Sequence, residues 1–581
     1  MKLTEMSKTT LLANIYPILH PQLHSDAVSV RMQGMEDIEM GFRFNLSDTK
    51  IGVVTKQLLE TYCITIEELI HAINTNHYEY QFQTLSEMLG LPAELENGMF
   101  PIYVLTNKQK FYGAGAFCVK SIVHDVVETL KEAKEEYVLI TQPEDELSAD
   151  AFFQCVKSLN ADRTIEAIYS DDDIIKNKTE YEEPAIKPDL NLDMLRSCNY
   201  IHNFLLVKKK LCQELFEECL ESWNGQIDWK YDVIFRCIEE KHSIHHIAKV
   251  LYHRNVEHVQ ACDEQERKAI DMHLKRMNIK GNVEKTEYRG IYRVRYTMEE
   301  TPLISIVIPN KDHVEDLKKC IDSLEKKSSY DNREYIIVEN NSTEEQTFTY
   351  YKELEEKCPR AKVVYWKEKG FNYPKINNYG VQYAKGEYIL FLNNDTEIQN
   401  PDCLEEMLIH CSRPEVGAVG ARLFYEDGTI QHVGVIVGLG GIAGHPYAAE
   451  AEETLGHMGR VHMIQDLSAV TAACMMVKKT VFFEVGKFEP EYAVAFNDVD
   501  LCMKIRKAGY LIVYTPYARL THYESKSRGL EDSREKVKRF DSEVALFEER
   551  WGKELEKGDP NYNPNFRLDE KDFRLNVHVR R

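Results

Sequence analysis

Between Leu303 and Leu392 short apolar runs alternate with longer stretches of helical period. Leu303 to Ile308 is apolar or small throughout, as suits a strand buried on both faces. Helical spacing follows over Lys311 to Lys327, then a strand over Tyr335 to Val338. The pattern repeats with a helix over Thr343 to Lys357, a strand over Val363 to Trp366, a helix over Tyr373 to Lys385 and a strand over Tyr388 to Leu392. Further on, a helix starts near Phe496 and runs to about Ala508, and Leu511 to Tyr514 reads as a strand. Strands alternating with helices predict βαβ units and a parallel sheet. Ligands in such sheets bind beyond the carboxyl ends of the strands.

The upstream half is less regular. In Ile64 to Ile73, residues Ile66, Leu69, Ile70 and Ile73 share a helical face, and Pro101 to Thr106 reads as a strand. Gly113 and Gly115 read as a turn. Val119 to Lys134 is amphipathic and Tyr137 to Thr141 is a short apolar strand. The acidic run Glu144-Asp145-Glu146 follows that strand, and Asp171-Asp172-Asp173 follows the apolar Ala167 to Ser170. Residues 263–299 are charged and poor in apolar runs, which predicts a linker. The tail from Gly558 is rich in Pro and Asn and is expected to lie over the surface without a core of its own. The chain thus divides into an α+β region at 1–115, a second block at 116–262, the linker, the regular block at 300–555 and a tail at 556–581.

Composition narrows the classes. The 581 residues are 43% apolar and 10% aromatic, which is globular. A formal charge of −23 argues against nucleic acid as the main partner. No apolar stretch approaches the ~20 residues a membrane span needs, and Met1 to His20 has no signal-peptide core, so the expected location is cytoplasmic. A peripheral site at the inner face of a membrane stays open, since Arg534 to Arg539 is basic, although a solvated helix face explains those charges better. The 14 cysteines include no CxxC pair and read as reduced thiols.

Candidate chemistry gathers at the strand ends. Pro309-Asn310-Lys311, Glu339-Asn340-Asn341-Ser342 and Asn393-Asn394-Asp395 each follow a predicted strand. Oxygen ligands on one sheet edge suit a hard cation that grips phosphates. Any one of these alone is more often a turn or cap. Asp498 and Asp500 open a helix, and two residues apart means about 200° around it, so only one of them faces a common site. That one suits a general base. His522, followed by Glu524, Lys526 and Arg528, suits a metal ligand beside phosphate-binding cations. The glycine-rich stretch Val433 to His445 has neither a P-loop lysine nor GxGxxG spacing, and reads as a loop on the acceptor side.

The ordered set of segments is more specific than any one of them. SIVIPNKD (305–312), IIVENNST (336–343), KGFNYPKINNYG (369–380), KGEYILFLNNDTEI (385–398), LSAVTAACMMV (467–477), FNDVDLC (496–502) and THYESKSRG (521–529) together carry the likeness. This block resembles the family 2 glycosyltransferases of the GT-A fold, in particular the rhamnosyltransferase-like bacterial members that build cell-surface polysaccharides. The resemblance implies an α/β, Rossmann-like domain that uses a nucleoside-diphosphate sugar donor, a glycan, lipid-linked or protein acceptor, and Mg²⁺ or Mn²⁺. It implies donor contacts at Pro309, Glu339, Asn378, Asn393, Asn394 and Arg528, metal ligands at Asp395 and His522, and a catalytic base at Asp498 acting with inversion. Three positions depart from the family pattern. Glu339 stands where Asp is commoner, Asn393 replaces the first Asp of the DxD motif, and Asn497 replaces a Glu before the base.

The block at 116–262 looks like the back half of the same fold. FLLVKKKL (204–211) parallels CMMVKKTV (474–481), Asp232 falls where Asp500 falls, and His253 where His522 falls. Lys230 stands opposite Asp498, and Gln142-Pro143-Glu144 opposite the metal motif. A lysine is a poor base near neutral pH, so this copy is expected to be truncated and catalytically silent. TIEELIHAINTN and YVLTNKQKFYGA in the first hundred or so residues look similar to an uncharacterised bacterial domain. Two functions follow from these readings: a metal-dependent sugar transferase, or a non-catalytic glycan- or partner-binding protein built from GT-A-like units. Survival of Asp395, Asp498 and His522 together favours the enzyme. A nucleotidyltransferase fits less well, and a homo-oligomer stays open.

Overall fold

The computed structural model describes residues 102–105, 136–141, 145–148, 151–176, 180–215, 227–255, 263–523 and 533–576. The expected helices at 64–73 and 119–134, the turn at Gly113 and Gly115, the triplet Gln142-Pro143-Glu144, and Arg528 lie outside them. The described residues form two compact units, one from residues 102–187 and 201–269, the other from 188–200 and 270–576.

The first unit opens with β1 (Ile102–Leu105), β2 (Tyr137–Ile140), β3 (Glu146–Leu147), α1 (Ala151–Ala161), β4 (Ala167–Lys176) and β5 (Glu180–Ala185). Next comes α2 (Leu192–Ser197), which belongs to the second unit; β6 (Leu205–Lys208), α3 (Trp229–Glu239) and β7 (Ile244–Asn255) complete the first. Its seven strands run β1-β2-β6-β4-β7-β3, with β5 on β4. The strand read at Pro101 to Thr106 therefore joins this sheet, parallel to β2.

The acidic run Asp171-Asp172-Asp173 lies inside β4 and is buried. Three buried carboxylates are tolerable only with partners, and these come from far along the chain. Lys187 pairs with Asp172, Arg254 Nε donates to it at 2.7 Å, and His202 Nδ1 lies 2.9 Å away. His246 meets Asp171 at 3.0 Å and His253 meets Asp173 at 2.6 Å.

The division between units falls within α4 (Asp263–Arg276). The hairpin β8 (Gly281–Lys285) and β9 (Tyr292–Tyr296) follows, so the expected linker at 263–299 carries regular structure. Tyr292, Val294 and Tyr296 are buried and alternate with Arg293 and Arg295, a period-2 strand signal inside a charged stretch.

The second unit continues with β10 (Ile304–Asn310), α5 (Val314–Lys327), β11 (Arg333–Asn340), α6 (Glu345–Lys357), β12 (Ala361–Trp366), α7 (Tyr373–Val381), β13 (Tyr388–Leu392) and β14 (Thr396–Ile398). Then come α8 (Cys403–Cys411), β15 (Val416–Phe424), β16 (Ile430–His432), β17 (Ile436–Val437), β18 (Ala443–Gly444), β19 (Gln465–Asp466) and β20 (Cys474–Lys478). α9 (Lys479–Glu484), α10 (Asn497–Lys507), β21 (Leu511–His522) and α11 (Arg534–Lys557) complete it.

Its ten-stranded sheet runs β12-β11-β10-β13-β20-β15-β21-β14, with β16 on β15 and β19 on β21. The first four strands are parallel and β20 runs against its neighbours β13 and β15. The period of two splits β10 between two cores: Ile304, Ile306 and Ile308 pack with Leu317, Ile321 and Leu324 of α5, and Val307 packs with Ile376 of α7. Each such buried side chain contributes about 1.5–3 kcal/mol. With helices on both faces, the strand ends are what the fold leaves open to a ligand.

The first unit repeats part of this plan. Its order β2-β6-β4-β7-β3 matches β13-β20-β15-β21-β14, with the same parallel and antiparallel senses. His253 pairs with Glu146 as His522 pairs with Thr396. Lys230 is the second residue of α3, as Asp498 is of α10. Burial pulls the Lys230 ammonium down to about 8, which still leaves it mostly protonated at pH 7.

The tail after Gly558 has a core, contrary to the expectation of a loose surface segment. Tyr562, Phe566 and Phe573 are buried, and Phe573 stacks on Tyr447 with ring centroids 5.1 Å apart. Three aromatics spaced through a polar segment supply the apolar area that its Pro and Asn content hides. No helix among the described residues is long and apolar enough to cross a membrane.

Candidate functional site

β11, β10 and β13 are adjacent and parallel, so their carboxyl ends share one edge. Asn310 ends β10 and Glu339 lies at the end of β11. Asn394, just beyond β13, donates through Nδ2 to Asn310 Oδ1 at 2.6 Å. Asn310 in turn donates to the Tyr351 hydroxyl at 2.8 Å, and that hydroxyl donates to Glu339 Oε2 at 2.8 Å. Three of the expected donor residues, Pro309, Glu339 and Asn394, thus lie within or beside one polar chain. Glu339 also accepts from the Ser342 amide and hydroxyl, both at 2.6 Å. Its carboxylate shapes the β11–α6 loop, in which Asn341 is left-handed at φ 59°.

The second cluster lies after β13 and at the end of β21. Antiparallel pairing of Thr396 with His522 brings Asp395 beside the imidazole. His522 Nε2 is 3.2 Å from Asp395 Oδ1 and 3.1 Å from Asn393 Nδ2. Its Nδ1 is 2.7 Å from Gln431 Oε1. A carboxamide oxygen only accepts, so Nδ1 carries the proton in the neutral ring. Nε2 is then an acceptor that meets the Asn393 amide, with the Asp395 carboxylate alongside. Gln431 also donates to the His522 carbonyl at 3.3 Å, gripping the residue at both ends. An outer hydrogen bond that fixes tautomer and ring orientation is the usual support of a metal-ligating histidine.

Asp498 belongs to a third element. Phe496, in the left-handed region at φ 60°, precedes α10 and packs on Phe540 and Phe547. An aromatic there is strained by roughly 1–2 kcal/mol, and the turn sets the direction of the first helical residues. Asp498 is half-buried and its Oδ2 accepts from the Ala472 amide at 3.1 Å. The next residue, Ala473, accepts at 3.0 Å from the Asn393 amide. Two successive residues therefore tie the base candidate to the 393–395 turn. Asp500 lies elsewhere: wholly buried, it meets Lys504 at 3.0 Å, Arg550 at 3.2 Å and the Trp551 indole at 3.0 Å. The 200° argument thus separates a solvent-reaching carboxylate from one committed to holding α11.

Asn378 is not part of either cluster. Its carboxamide donates to the Phe488 carbonyl at 2.9 Å and accepts from the Phe488 amide at 3.3 Å. Gln431 and Tyr351 carry no motif of their own; the only sequence signal for Gln431 is a polar pair, Gln431-His432, in an apolar run. Next to His522 opens a pocket of about 380 Å³, also lined by Gln431, Thr471 and His432. Burial and the neighbouring His445 and His522 push the His432 imidazole well below its usual range.

Residues 305–456 match the family model described as glycosyl transferase family 2. Within the second unit this stretch, from β10 to beyond β18, is therefore similar to that family. The unit's mixed sheet places β20 reversed between β13 and β15. An uncharacterized protein of Sinorhizobium fredii is 39% identical over 456 residues, covering 76% of this chain and 50% of the relative. An O-antigen biosynthesis protein of Myxococcus xanthus is 33% identical over 456 residues, covering 76% of this chain and 35% of the relative. The chain therefore spans half or less of the length of these two relatives. Among solved structures, a mannosyltransferase of Pyrobaculum calidifontis, in complex with GDP-Man and Mn²⁺, aligns with TM-score 0.32 at 14% identity, over 46% of this chain and 68% of its own. The matched range holds the polar chain from Asn310 to Asn394 and, around the imidazole, Asn393, Asp395 and Gln431, whereas Asp498 and His522 lie beyond it.

Proposed function

We propose that the second unit transfers a sugar, with inversion, from a nucleoside-diphosphate donor to a glycan or lipid-linked acceptor in cell-surface polysaccharide synthesis. The observation that carries this reading is the pairing of Asp395 with a His522 oriented by Gln431, tied through residues 472 and 473 to Asp498. The Myxococcus relative, named for O-antigen biosynthesis, supports the polysaccharide context.

A divalent cation fits the Asp395–His522 pair. In the neutral histidine Nε2 is an acceptor, 3.1 Å from Asn393 Nδ2 and 3.2 Å from Asp395 Oδ1, so the imidazole nitrogen and the carboxylate oxygen stand close enough to share one cation in place of the Asn393 contact. Oxygen and imidazole donors suit Mn²⁺ and Mg²⁺. Among the described residues no group of three or more His, Cys, Asp or Glu side chains is gathered to hold a metal, so the diphosphate and water would complete the shell. Bound there, the cation supplies neutralisation of the charge that grows on the leaving diphosphate.

The protein's own residues do the rest. The polar chain from Asn394 to Glu339 holds the nucleoside end of the donor along the β10–β11 edge. Asn393 steadies the His522 ring. Asp498 accepts the proton of the acceptor hydroxyl as that oxygen attacks the anomeric carbon, and the sugar–phosphate bond breaks on the opposite face. Such general-base help is typically worth ~10²–10⁴ in rate. The first unit, with Lys230 in place of the base, acts as a structural or acceptor-binding partner without chemistry of its own.

The test is a panel of UDP-, dTDP- and GDP-sugars followed by nucleotide release, with NMR of the anomeric proton in the product. Release from one donor, with the opposite anomer in the product, supports the proposal. A retained anomer contradicts the single displacement, and no release from any donor contradicts the enzyme.

A further inference from the structure

The pocket beside His522 lies on the side of the reacting centre away from the nucleoside. Glu339 is on β11, towards one end of the sheet, whereas Gln431 is on β16 and His522 on β21, towards the other. Its volume of about 380 Å³ is within the range of small-molecule sites. Thr471 on its wall precedes the residue whose amide holds Asp498.

The far wall is made by the C-terminal tail, through Leu568, Asp569 and Lys571. The tail is fastened there by backbone. Gly440, in a left-handed turn at φ 70°, donates to the Leu568 carbonyl at 2.7 Å, and Tyr447 donates to the Lys571 carbonyl at 2.8 Å. The buried Asp559 carboxylate accepts from the Val437 amide at 2.8 Å. The glycine-rich loop, the tail and His522 thus line one cavity.

The chemistry of that wall is mixed. Asp569 and Lys571 bring one charge of each sign, and Tyr425, Gln431 and Thr471 add neutral donors and acceptors. Asp569 also pairs with Arg567 at 2.6 Å. Leu568, 48% exposed, offers an apolar face. Paired donors and acceptors with an apolar strip suit the hydroxyls and C–H face of a pyranose. A diphosphate would call for a cluster of cations; these walls bring one lysine and three imidazoles, His432, His445 and His522, of which burial holds His432 well below its usual range.

We propose that this pocket binds the terminal sugar of a neutral saccharide acceptor, and that Asp569 and Lys571 of the tail select it. The assignment rests on the transferase reading, and it places acceptor selection on a segment beyond the matched family range.

Saturation-transfer NMR on the full chain tests it. The probes are neutral methyl glycosides of hexoses, 6-deoxyhexoses and N-acetylhexosamines, with geranyl diphosphate as the anionic comparison. UDP, dTDP and GDP binding to wild type is measured in the same sample. At least one glycoside should bind wild type. The double variant Asp569→Ala/Lys571→Ala should weaken that binding about tenfold or more, as expected for two lost hydrogen bonds, at an unchanged unfolding midpoint. Equal binding by the double variant overturns the assignment. So does nucleotide binding with no glycoside bound, or binding of geranyl diphosphate in place of every glycoside; in both cases the transferase reading survives. Glycoside binding that depends on the two tail residues, in a chain that binds no nucleotide, keeps the saccharide pocket and removes the transferase.

Discussion

Replacing Asp498 by Asn separates catalysis from architecture. The wild-type carboxylate accepts two amide N–H groups, Ala472 at 3.1 Å on Oδ2 and Val499 at 2.9 Å on Oδ1. A carboxamide keeps one accepting oxygen and turns its NH₂ towards the other amide. One accepted hydrogen bond is lost, which costs about 1–2 kcal/mol of stability. The fold survives such a loss, since domains typically have about 5–15 kcal/mol in hand. Loss of the base should lower kcat by ~10²–10⁴, or about 3–5.5 kcal/mol in the barrier. Donor affinity should hardly move, because the proposed role sets Asp498 against the acceptor hydroxyl and not the diphosphate. The assay is steady-state nucleotide release from the accepted donor, alongside nucleotide calorimetry and thermal unfolding of both proteins. A fall in kcat of less than tenfold, or a loss of nucleotide binding that matches the loss of rate, refutes this role.

Other outcomes follow from named contacts. Gln431→Leu should weaken Mn²⁺-dependent nucleotide binding by about 10–100-fold, as outer-shell changes at metal sites do, and unchanged metal dependence would remove Gln431 as the orienting group. Arg413→Ala should destabilise the second unit by roughly 3–5 kcal/mol, because it leaves the buried Asp193 carboxylate without its two-pronged partner at 2.6 and 2.7 Å; chemical denaturation reads the change, and a loss below about 1 kcal/mol contradicts it. Acidification should destabilise the same unit through His410. Burial holds that imidazole down to about 3, below its unfolded value of about 6.5. The stability tied to a neutral His410 is therefore present above pH 6.5 and lost as the pH falls, by up to roughly 3 kcal/mol at pH 4. Thermal midpoints of wild type and His410→Gln should converge over that range, and parallel curves would contradict the assignment.

Legibility in the sequence followed locality. β10, β11 and β13 were visible because continuous apolar runs mark strands buried on both faces, and their polar ends marked the edge where ligands bind. β15 is wholly buried but contains Gly417, Gly420 and Arg422, which blur its period. β4 hides for a stronger reason. Its three aspartates read only as an acidic run after an apolar stretch, and they sit in a strand because Lys187, His202, His246, His253 and Arg254 reach them from distant positions. The site divided in the same way. Asp395, His522 and Asp498 stand in segments whose order the family likeness made readable. Gln431 and the tail residues became visible only through the pairing of β16 with β15 and through the tail's bonds to Gly440 and Tyr447. Asn378 stands in a family-like segment, and only the structure shows that Phe488 engages both ends of its amide.

The central claim is a cation-assisted donor site at Asp395 and His522. Calorimetry of UDP, dTDP and GDP with and without Mn²⁺, on wild type and Asp395→Ala, tests it most directly. The account predicts that one nucleotide binds wild type, that removal of Mn²⁺ weakens it by at least about tenfold, which is 1.4 kcal/mol, and that the variant loses the metal dependence. Binding of the same strength with and without Mn²⁺, or in the variant, would contradict the site, and no binding of any of the three to folded wild type would contradict the donor assignment altogether.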